Sequence, residues 1–390
     1  MVDGCAFPAS TYSKYPDRYP ANAPRHADRA SGAYVEANGR QYIDTTSALG
    51  AVILGHQNPD VDRAVVKQIQ RGVSFSLPTR LEAELAERLC ALVPNGERVR
   101  FAKNGYDVTT AAVRIARAVT GRPAVLMYED GYHGMSDVFV REPKTGGVPR
   151  ETRDLTVTCV RHDLPSIRQA LNTHRPACLI VEAVLTSDPV EPPAGYFDAL
   201  RQLCSAYGAL LVLDEMVTGF RSGHPGAVAT YGVQPDLVCY GKALANGWPL
   251  SALVGPREYM DRIDADVFMS TTFAGEAVSL AAALATLSVL ETQGVAKRLA
   301  VAGRRLMNAY NAQAVECGLD TYFYGYPARP FMRWSDPRQR ALFLETLIDN
   351  GVLCQGYFNL TLAMVGVMDR LATALAAAFD KVAYTQRVTA

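Results

Sequence analysis

The middle third of this 390-residue chain alternates continuous apolar runs with stretches of helical spacing. Strands that are apolar throughout are buried on both faces, and strands that alternate with helices form a mainly parallel sheet covered on both sides. The apolar runs predict strands at 99–105, 124–130, 155–160, 177–184, 209–217, 236–241 and 251–255. The intervening stretches predict helices at 107–119, 164–172 and 195–207. The pattern therefore predicts an α/β domain built on a mainly parallel sheet.

The regions on either side of this core have other patterns. Residues 1–30 lack any periodicity and predict an extended arm, whereas 32–46 predict a short β region that turns at Asn38-Gly39. The spacing of apolar residues over 58–92 predicts helix with an interruption near Pro78. From about 275 the chain is helical and then ends in a shorter α+β segment.

Composition excludes several classes of partner. The formal net charge is +0, which gives no electrostatic reason to expect nucleic acid or an anionic membrane as a partner, although net charge averages over the surface and leaves room for a local basic groove. No stretch approaches the ~18 apolar residues of a membrane span, and no signal peptide is evident. The eight cysteines are scattered without metal-ligand spacing, so we interpret them as reduced and expect a cytoplasmic protein. The six histidines also lack ligand spacing, and no catalytic metal is expected.

Polar residues stand at the ends of several predicted strands: Asn104, Glu182, Asp214 and Lys242. The carboxyl ends of parallel strands share one edge of the sheet, where functional residues collect. A carboxylate such as Asp214 can keep a pyridine nitrogen protonated, and a lysine such as Lys242 can form an imine with an aldehyde and then shuttle protons. Taken singly, Asp214 could equally cap a helix and Lys242 could be a surface lysine.

Two segments carry a family resemblance: LVLDEMVTGFRSG (211–223) and DLVCYGKALANGWPLSALVG (236–255). They resemble the signature of class III aminotransferases, which are fold-type-I enzymes that use pyridoxal 5'-phosphate (PLP). The pattern is most similar to glutamate-1-semialdehyde aminomutase and its aminotransferase relatives. Further similar segments occur in family order: YIDTTSALGAVILGHQNPDV, GVSFSLPTRLEAELAERL, VRFAKNGYDVTTAAVRIARAVTGR, GYHG and STTFAGEAVSLAAALATL.

The resemblance implies a fold and a division into domains. It implies a large PLP-binding domain, 50–275, with a mainly parallel seven-strand sheet. It also implies a smaller α+β domain that joins residues 1–49 to 276–390.

The resemblance also assigns residues to the cofactor. Lys242 falls on the lysine that carries PLP as a Schiff base, and Asp214 on the partner of the pyridine nitrogen. Met216 falls where an aliphatic side chain covers one face of the ring, and Tyr132 where an aromatic side chain stacks on the other. By themselves, Met216 would be an ordinary core residue and Tyr132 a half-buried tyrosine.

Four further residues are placed near the cofactor by the same resemblance. Glu182 aligns with a glutamate near the site, and Ser187 lies near the residue that approaches the ring hydroxyl. His133, beside Tyr132, is more often a structural residue. Thr272 matches a threonine that reaches the PLP phosphate of the neighbouring subunit, which implies a homodimer with shared active sites. Its alternative role is to cap the helix that comes after it.

The chain departs from the family in its phosphate loop. Ser-Gly-Thr or Ser-Gly-Ser is replaced by Asn104, Gly105 and Tyr106. The helix that begins here would still direct N–H groups and a positive dipole end at a phosphate, and Asn104 can donate through its amide. Tyr106 cannot place its hydroxyl where a short threonine would. A second departure is the stretch after GYHG, 135–149, which is shorter than the gating loop of the mutase.

The expected function is amino transfer between a small-molecule amino donor, such as glutamate, and an aldehyde or ketone acceptor. Two alternatives remain open. One is an aminomutase or a decarboxylase acting on an unusual, large amine, and the other is an inactive homologue that serves as a binding or scaffold subunit. For a substrate carboxylate, Arg25 and Arg329 are candidate ligands, although a solvated arginine is the commoner interpretation of each.

Overall fold

The structure, a computed structural model, describes residues 9–389, and their contacts form two units. One unit spans Pro59–Gln293, and the other joins the chain up to Asn58 with the chain from Gly294 onward. The sequence predicted the boundaries at 50 and 275. The larger unit extends further at its carboxyl end because the helix Ala277–Thr292 packs against the helix Pro59–Ile69.

The strands are given in chain order. They are β1 Arg29–Ser31, β2 Tyr34–Ala37, β3 Arg40–Asp44, β4 Arg98–Ala102, β5 Val125–Tyr128, β6 Thr156–Cys159, β7 Cys178–Glu182, β8 Leu210–Asp214, β9 Leu237–Tyr240, β10 Ser251–Gly255, β11 Thr321–Tyr324, β12 Phe331–Trp334 and β13 Val352–Leu353.

The helices are given in the same way. They are α1 Pro59–Ile69, α2 Arg80–Leu92, α3 Gly105–Thr120, α4 Arg150–Asp154, α5 Leu164–His174, α6 Tyr196–Tyr207, α7 Ala227–Thr230, α8 Arg257–Met260, α9 Arg262–Ala265, α10 Ala277–Thr292, α11 Val295–Glu316, α12 Pro337–Asp349 and α13 Met368–Thr389. Short 3₁₀ turns lie at Tyr12–Lys14, Pro16–Arg18, Ala48–Gly50, Lys242–Ala245 and Ala363–Val367.

The larger unit is built on a seven-stranded sheet in the order β4-β10-β9-β8-β7-β5-β6. All neighbouring pairs from β9 to β6 are parallel, and only β10 runs against its neighbours. Every residue of the central strands β5, β7, β8 and β9 is buried, as expected for strands covered on both faces. The predicted α/β fold with a mainly parallel seven-strand sheet is therefore confirmed, and each of the seven apolar runs supplies one strand.

The helix α3 is anchored along its whole length. Its inward face is apolar over four turns and is completely buried against the sheet, as Val108, Ala112 and Ile115 show. The helix ends at Gly121, whose φ of 67° is the left-handed conformation that glycine tolerates. Buried packing of this length fixes the start of α3 next to the end of β4.

The smaller unit contains a four-stranded sheet, β1-β2-β3-β13, and the hairpin β11-β12. The predicted turn between β2 and β3 is present: Asn38 and Gly39 both have positive φ, 52° and 72°, as a tight hairpin requires. The predicted extended arm, residues 1–30, is interrupted in its described part by two 3₁₀ turns, Tyr12–Lys14 and Pro16–Arg18, and ends in the extended strand β1. Hydrogen bonds between neighbouring residues form these turns without any apolar periodicity.

Within residues 9–389, no single helix is long and apolar enough to cross a membrane, although the consecutive helices α10 and α11 meet that criterion when taken together. The seven cysteines in this range carry free thiols, and Cys5 lies outside it. The reduced state and the cytoplasmic location stay predictions.

Candidate active site

The carboxyl ends of β7, β8 and β9 bring the predicted residues to one edge of the sheet. Glu182 pairs with Asp214 in the register of β7 and β8, and Asp214 pairs with Cys239 in the register of β8 and β9. Lys242 begins the 3₁₀ turn that comes directly after β9. The carboxylate and the amine that the sequence singled out therefore emerge from adjacent parallel strands.

Asp214 is fixed by two hydrogen bonds. Its side chain is only 2% exposed, its Oδ2 lies 2.8 Å from Nδ1 of His133, and its Oδ1 accepts the N–H of Met216 at 3.0 Å. A buried carboxylate requires such partners. His133 is itself fully buried, and its Nε2 has no hydrogen-bond partner within residues 9–389. His133 therefore holds the orientation of Asp214. The sequence alone indicated only a structural residue at this position.

Glu182 holds the turn that carries Tyr132. Its Oε2 accepts the N–H of Tyr132 at 3.1 Å, and its Oε1 accepts both the N–H of Thr186, at 3.0 Å, and the hydroxyl of Thr186. Burial raises the pKa of Glu182; the positive potential of His133 opposes this rise, and the charge of Asp214 adds to it. Glu182 thus fixes the position of the backbone at Tyr132.

The backbone at Lys242 is unusual. Its φ of 42° lies in the left-handed region, which costs a residue other than glycine about 1–3 kcal/mol and tends to occur at functional sites. The side chain is half-buried.

Met216 lies between two glycines. A Cβ atom at Gly105 would be 2.8 Å from the Met216 sulfur, and a Cβ at Gly241 would be 2.6 Å from it. No larger residue fits at either position unless Met216 moves. The thioether thus lies between the start of α3 and the residue before Lys242.

The ring of Tyr132 is 63% exposed, so a face remains for another group to cover. The backbone beneath it is held by Arg141, whose guanidinium donates to the carbonyl oxygens of Tyr128 at 3.2 Å, of Glu129, and of Gly131 at 2.6 Å. Sequence reasoning missed Arg141, because an isolated arginine gives no signal before the chain is folded.

The phosphate loop forms the first turn of α3. The Asp107 carboxylate accepts the N–H of Asn104 at 2.8 Å and that of Lys103 at 3.2 Å, and Ser251 donates its hydroxyl to the carbonyl of Asn104 at 2.8 Å. Tyr106 is half-buried, and its backbone lies so close to Gly134 that a Cβ there would be 2.4 Å from the Tyr106 Cβ.

The remaining candidates are Thr272, Ser187, Arg25 and Arg329. Thr272 is exposed, and Ser187 is exposed with its hydroxyl 3.4 Å from the carbonyl of Asp130. Arg25 and Arg329 both belong to the smaller unit. Arg25 is exposed, whereas Arg329 is 4% exposed and its Nε donates to Asn359 at 2.9 Å. The guanidinium of Arg329 therefore has an internal structural partner, and its role toward a substrate stays a prediction.

A fully buried glutamate next to Asp214 was also missed. Glu215 accepts the N–H of Val228 at 2.8 Å and the hydroxyl of Thr218, and no Cβ could be added at Gly226 without contacting its carboxylate. Burial raises the pKa of Glu215 to about 7, although these hydrogen bonds oppose the rise. In the sequence, the only indication of this buried group is an acidic residue within the run DEMV.

We expect Glu215→Gln to stabilise the protein at pH 8 and to change little at pH 5. The pKa is raised in the folded state, so the folded protein retains a proton that the unfolded chain releases between pH 4.5 and about 7, and stability falls as the pH rises through this window. The difference is on the order of 3 kcal/mol at pH 8. Urea unfolding at both pH values measures it. The exposed Glu151→Gln is the control, and equal effects at both pH values would contradict the prediction.

The side chains at this edge have the chemical groups that PLP requires. A pyridine ring needs a carboxylate, an amine for its aldehyde and two apolar faces. Asp214, Lys242, Met216 and the exposed ring of Tyr132 supply these four groups. The donor set therefore fits the cofactor that the sequence resemblance implies. In residues 9–389, no cluster of three or more His, Cys, Asp or Glu is arranged to hold a metal ion.

Comparisons with known proteins agree with this chemistry. The family model of class-III aminotransferases matches residues 16–316. The FumI protein of Sphingopyxis sp. MTA144, solved with PLP, is 27% identical, with a TM-score of 0.88 over 97% of this chain and 92% of that one. An omega-transaminase from Sphaerobacter thermophilus is 27% identical, with a TM-score of 0.84 over 92% of this chain and 91% of that one. A glutamate-1-semialdehyde aminomutase from Pseudomonas aeruginosa PAO1, 22% identical, shares the fold with a TM-score of 0.84 over 94% and 89% of the two chains.

Proposed function

Because this chain belongs to the class-III aminotransferases, which are PLP-dependent enzymes, we propose that it moves an amino group from a donor such as glutamate to an aldehyde or ketone. The observation that carries the proposal is the pairing of a buried, hydrogen-bonded Asp214 with Lys242 on the next strand. This is the pair that amino transfer requires.

Each residue of the site has its own part in this reaction. Bound PLP supplies an electron sink that makes the proton on the amino-bearing carbon acidic. Asp214 keeps the pyridine nitrogen protonated, and His133 keeps Asp214 in position. Lys242 takes up and returns the proton. Met216 and Tyr132 would cover the two faces of the bound ring and restrict its tilt.

The segment 135–149 supports amino transfer over the mutase reaction. The resemblance implies that a mutase needs a lid that keeps its intermediate in the site. Here the segment is attached to the body of the larger unit: Phe139 is buried, Thr156 donates to the carbonyl of Val138 at 2.7 Å, and Arg153 donates to Thr145 at 3.2 Å. Arg141, within the segment, is bonded to the backbone of 128–131. Such a segment is poorly suited to open and close as a lid.

A half-reaction tests the proposed function. Purified protein with bound PLP is mixed with glutamate or with a panel of amines, without an acceptor. An aminotransferase converts its cofactor to the pyridoxamine form and releases the matching keto compound, which mass spectrometry identifies. Release of carbon dioxide would indicate a decarboxylase, and an isomerised amine would indicate a mutase. Absence of the visible band of PLP would indicate an inactive homologue.

We also propose that two copies of the chain associate. The stretch 66–77 exposes several large apolar side chains, namely Val66, Ile69, Val73, Phe75 and Leu77. Phe268 and Phe273, on either side of Thr272, are exposed as well. Exposed apolar surface of this extent favours a protein partner, and a second copy would bring its Thr272 to the phosphate site. Light scattering measures the mass, and Leu77→Glu with Phe273→Glu should yield monomers.

We expect Tyr106→Ser to change the relative rates across the substrate panel by about tenfold and to preserve PLP binding. We infer that the Tyr106 phenol lies at the mouth of the site and limits which substrates fit, and one missing group in a pocket is worth ~1–3 kcal/mol. The N–H groups at the start of α3 can hold a phosphate without a side-chain hydroxyl at position 106. The rates across the panel and the dissociation constant of PLP are the measurements. Altered PLP binding with unchanged relative rates would show instead that Tyr106 only packs beside the cofactor.

A further inference from the structure

A mostly buried ion pair connects two distant parts of the larger unit. Nζ of Lys103 lies 2.8 Å from Oε2 of Glu276, and the side chains are only 16% and 12% exposed. Nζ also donates to the hydroxyl of Ser279 at 3.2 Å. Lys103 comes directly after β4 and Glu276 directly before α10, so the pair closes a large loop of chain.

At one end of the pair, Lys103 borders the phosphate loop. It directly precedes Asn104, and its N–H donates to the Asp107 carboxylate, which also accepts the N–H of Asn104. Its main chain is therefore hydrogen-bonded to the first turn of α3, while its side chain reaches away to Glu276. A shift of this side chain would be transmitted to the turn through the backbone.

At the other end, Glu276 closes the segment that carries Thr272. Its Oε1 accepts the N–H of Val278 at 2.8 Å, so it caps α10. Its own N–H donates to the carbonyl of Phe273 at 3.2 Å, which closes the turn before the helix. Burial acts to raise the pKa of Glu276, but hydrogen bonds from Lys103 and Ser279 outweigh it, and the net pKa is lowered. The carboxylate is therefore charged at neutral pH.

We propose that Lys103 and Glu276 form a positioning pair that holds the first turn of α3 against the Thr272 segment and so sets the affinity of the site for the phosphate group of PLP. The proposal rests on the proposed function, which places the phosphate at this turn. Neither residue need touch the cofactor. When one member of a mostly buried pair is removed, the other charge is left uncompensated, and the two elements lose their common anchor.

The direction in which Glu276→Gln changes the affinity for PLP separates a positioning role of the pair from a purely electrostatic role of Lys103. If Lys103 acted only as a positive charge near the phosphate, Glu276→Gln would remove a competing negative charge and PLP would bind more tightly. If the pair positions the turn, the same substitution weakens binding, although glutamine still caps α10.

The test measures dissociation constants of PLP and of pyridoxal, which lacks the phosphate, from the apoprotein by absorbance titration. We expect Glu276→Gln and Lys103→Met each to weaken PLP binding by about tenfold, since a tenfold change corresponds to ~1.4 kcal/mol, and to change pyridoxal binding by less than about twofold. Lys103→Arg, which keeps the ion pair, should retain most of the affinity. Tighter or unchanged PLP binding in Glu276→Gln would overturn the proposal, and so would equal losses for the two ligands.

Arg100→Gln is the matched control, because Arg100 lies on the strand that leads to Lys103 and its pair with Asp264 is exposed, at 41% and 84%. It should leave both dissociation constants unchanged. If Glu276→Gln does not fold, Ser279→Ala, which removes the second acceptor of Lys103, should weaken PLP binding by about threefold and pyridoxal binding not at all. Wild-type protein that binds no PLP would overturn the proposed function, whereas normal wild-type binding with unaffected variants overturns only the positioning pair.

Discussion

Replacement of Lys242 by alanine is expected to lower amino transfer by at least about 1,000-fold, because a positioned general base contributes ~10²–10⁴-fold and Lys242 also supplies the amine that holds the cofactor. The fold should persist, since the half-buried lysine side chain lies at the surface edge of the sheet. Steady-state rates with the best substrate pair give the size of the loss, and circular dichroism checks the fold.

A covalent label identifies the lysine independently of the rate. Borohydride treatment of the wild-type protein should attach the cofactor to the peptide that contains Lys242, and the Lys242→Ala protein should take up no label. Lys67→Ala, an exposed lysine on α1, is the control and should behave as wild type. A label on another lysine would show that the assignment of Lys242 is wrong.

Asp214→Asn is expected to retain PLP but to lose at least about 100-fold in rate, because a neutral amide cannot keep the pyridine nitrogen protonated, and preorganised charge is a large part of catalysis. The substitution keeps the size of the side chain, and the single amide oxygen of asparagine can still accept one of the two hydrogen bonds of Asp214, from His133 or from the N–H of Met216. The rate loss should therefore appear in kcat. The bound cofactor is measured by its absorbance.

A matched control is available at the opposite edge of the same sheet. Asp236, which precedes β9, accepts hydrogen bonds from Arg201 and from the N–H of Leu211, both at 2.6 Å. Asp236→Asn should lower stability without a comparable fall in kcat. Near-normal turnover in Asp214→Asn would show that another group holds the ring nitrogen.

The sheet could be predicted from the sequence because its strands are apolar over their whole length. Both faces of such a strand must be buried, and burial on both faces indicates a sheet that lies between two layers of helices. Polar residues at their carboxyl ends, such as Asp214 and Lys242, were then assigned to one edge by topology alone, and the register of β8 and β9 places them there. The seven-strand core required little information beyond local pattern and general rules of packing.

The contacts that hold the site residues in place could not be predicted in this way. Arg141 bonds to carbonyl groups of another segment, and Lys103 pairs with Glu276 only after α3 and α10 have packed in the larger unit. These contacts join residues that are apart in the chain and carry no local pattern. The left-handed backbone of Lys242 was also unpredictable, since it occurs at a lysine rather than at a glycine or asparagine.

A buried cysteine in each unit can report how often the backbone of that unit opens. Cys239 on β9 is fully buried and pairs with Asp214 of β8, and Cys354 is fully buried in the smaller unit. Burial raises the pKa of both, so neither reacts with an alkylating reagent until the backbone around it opens. The alkylation rate of each cysteine therefore depends on the opening frequency of its own unit, and a ligand that tightens the sheet would slow the reaction of Cys239 but not that of Cys354.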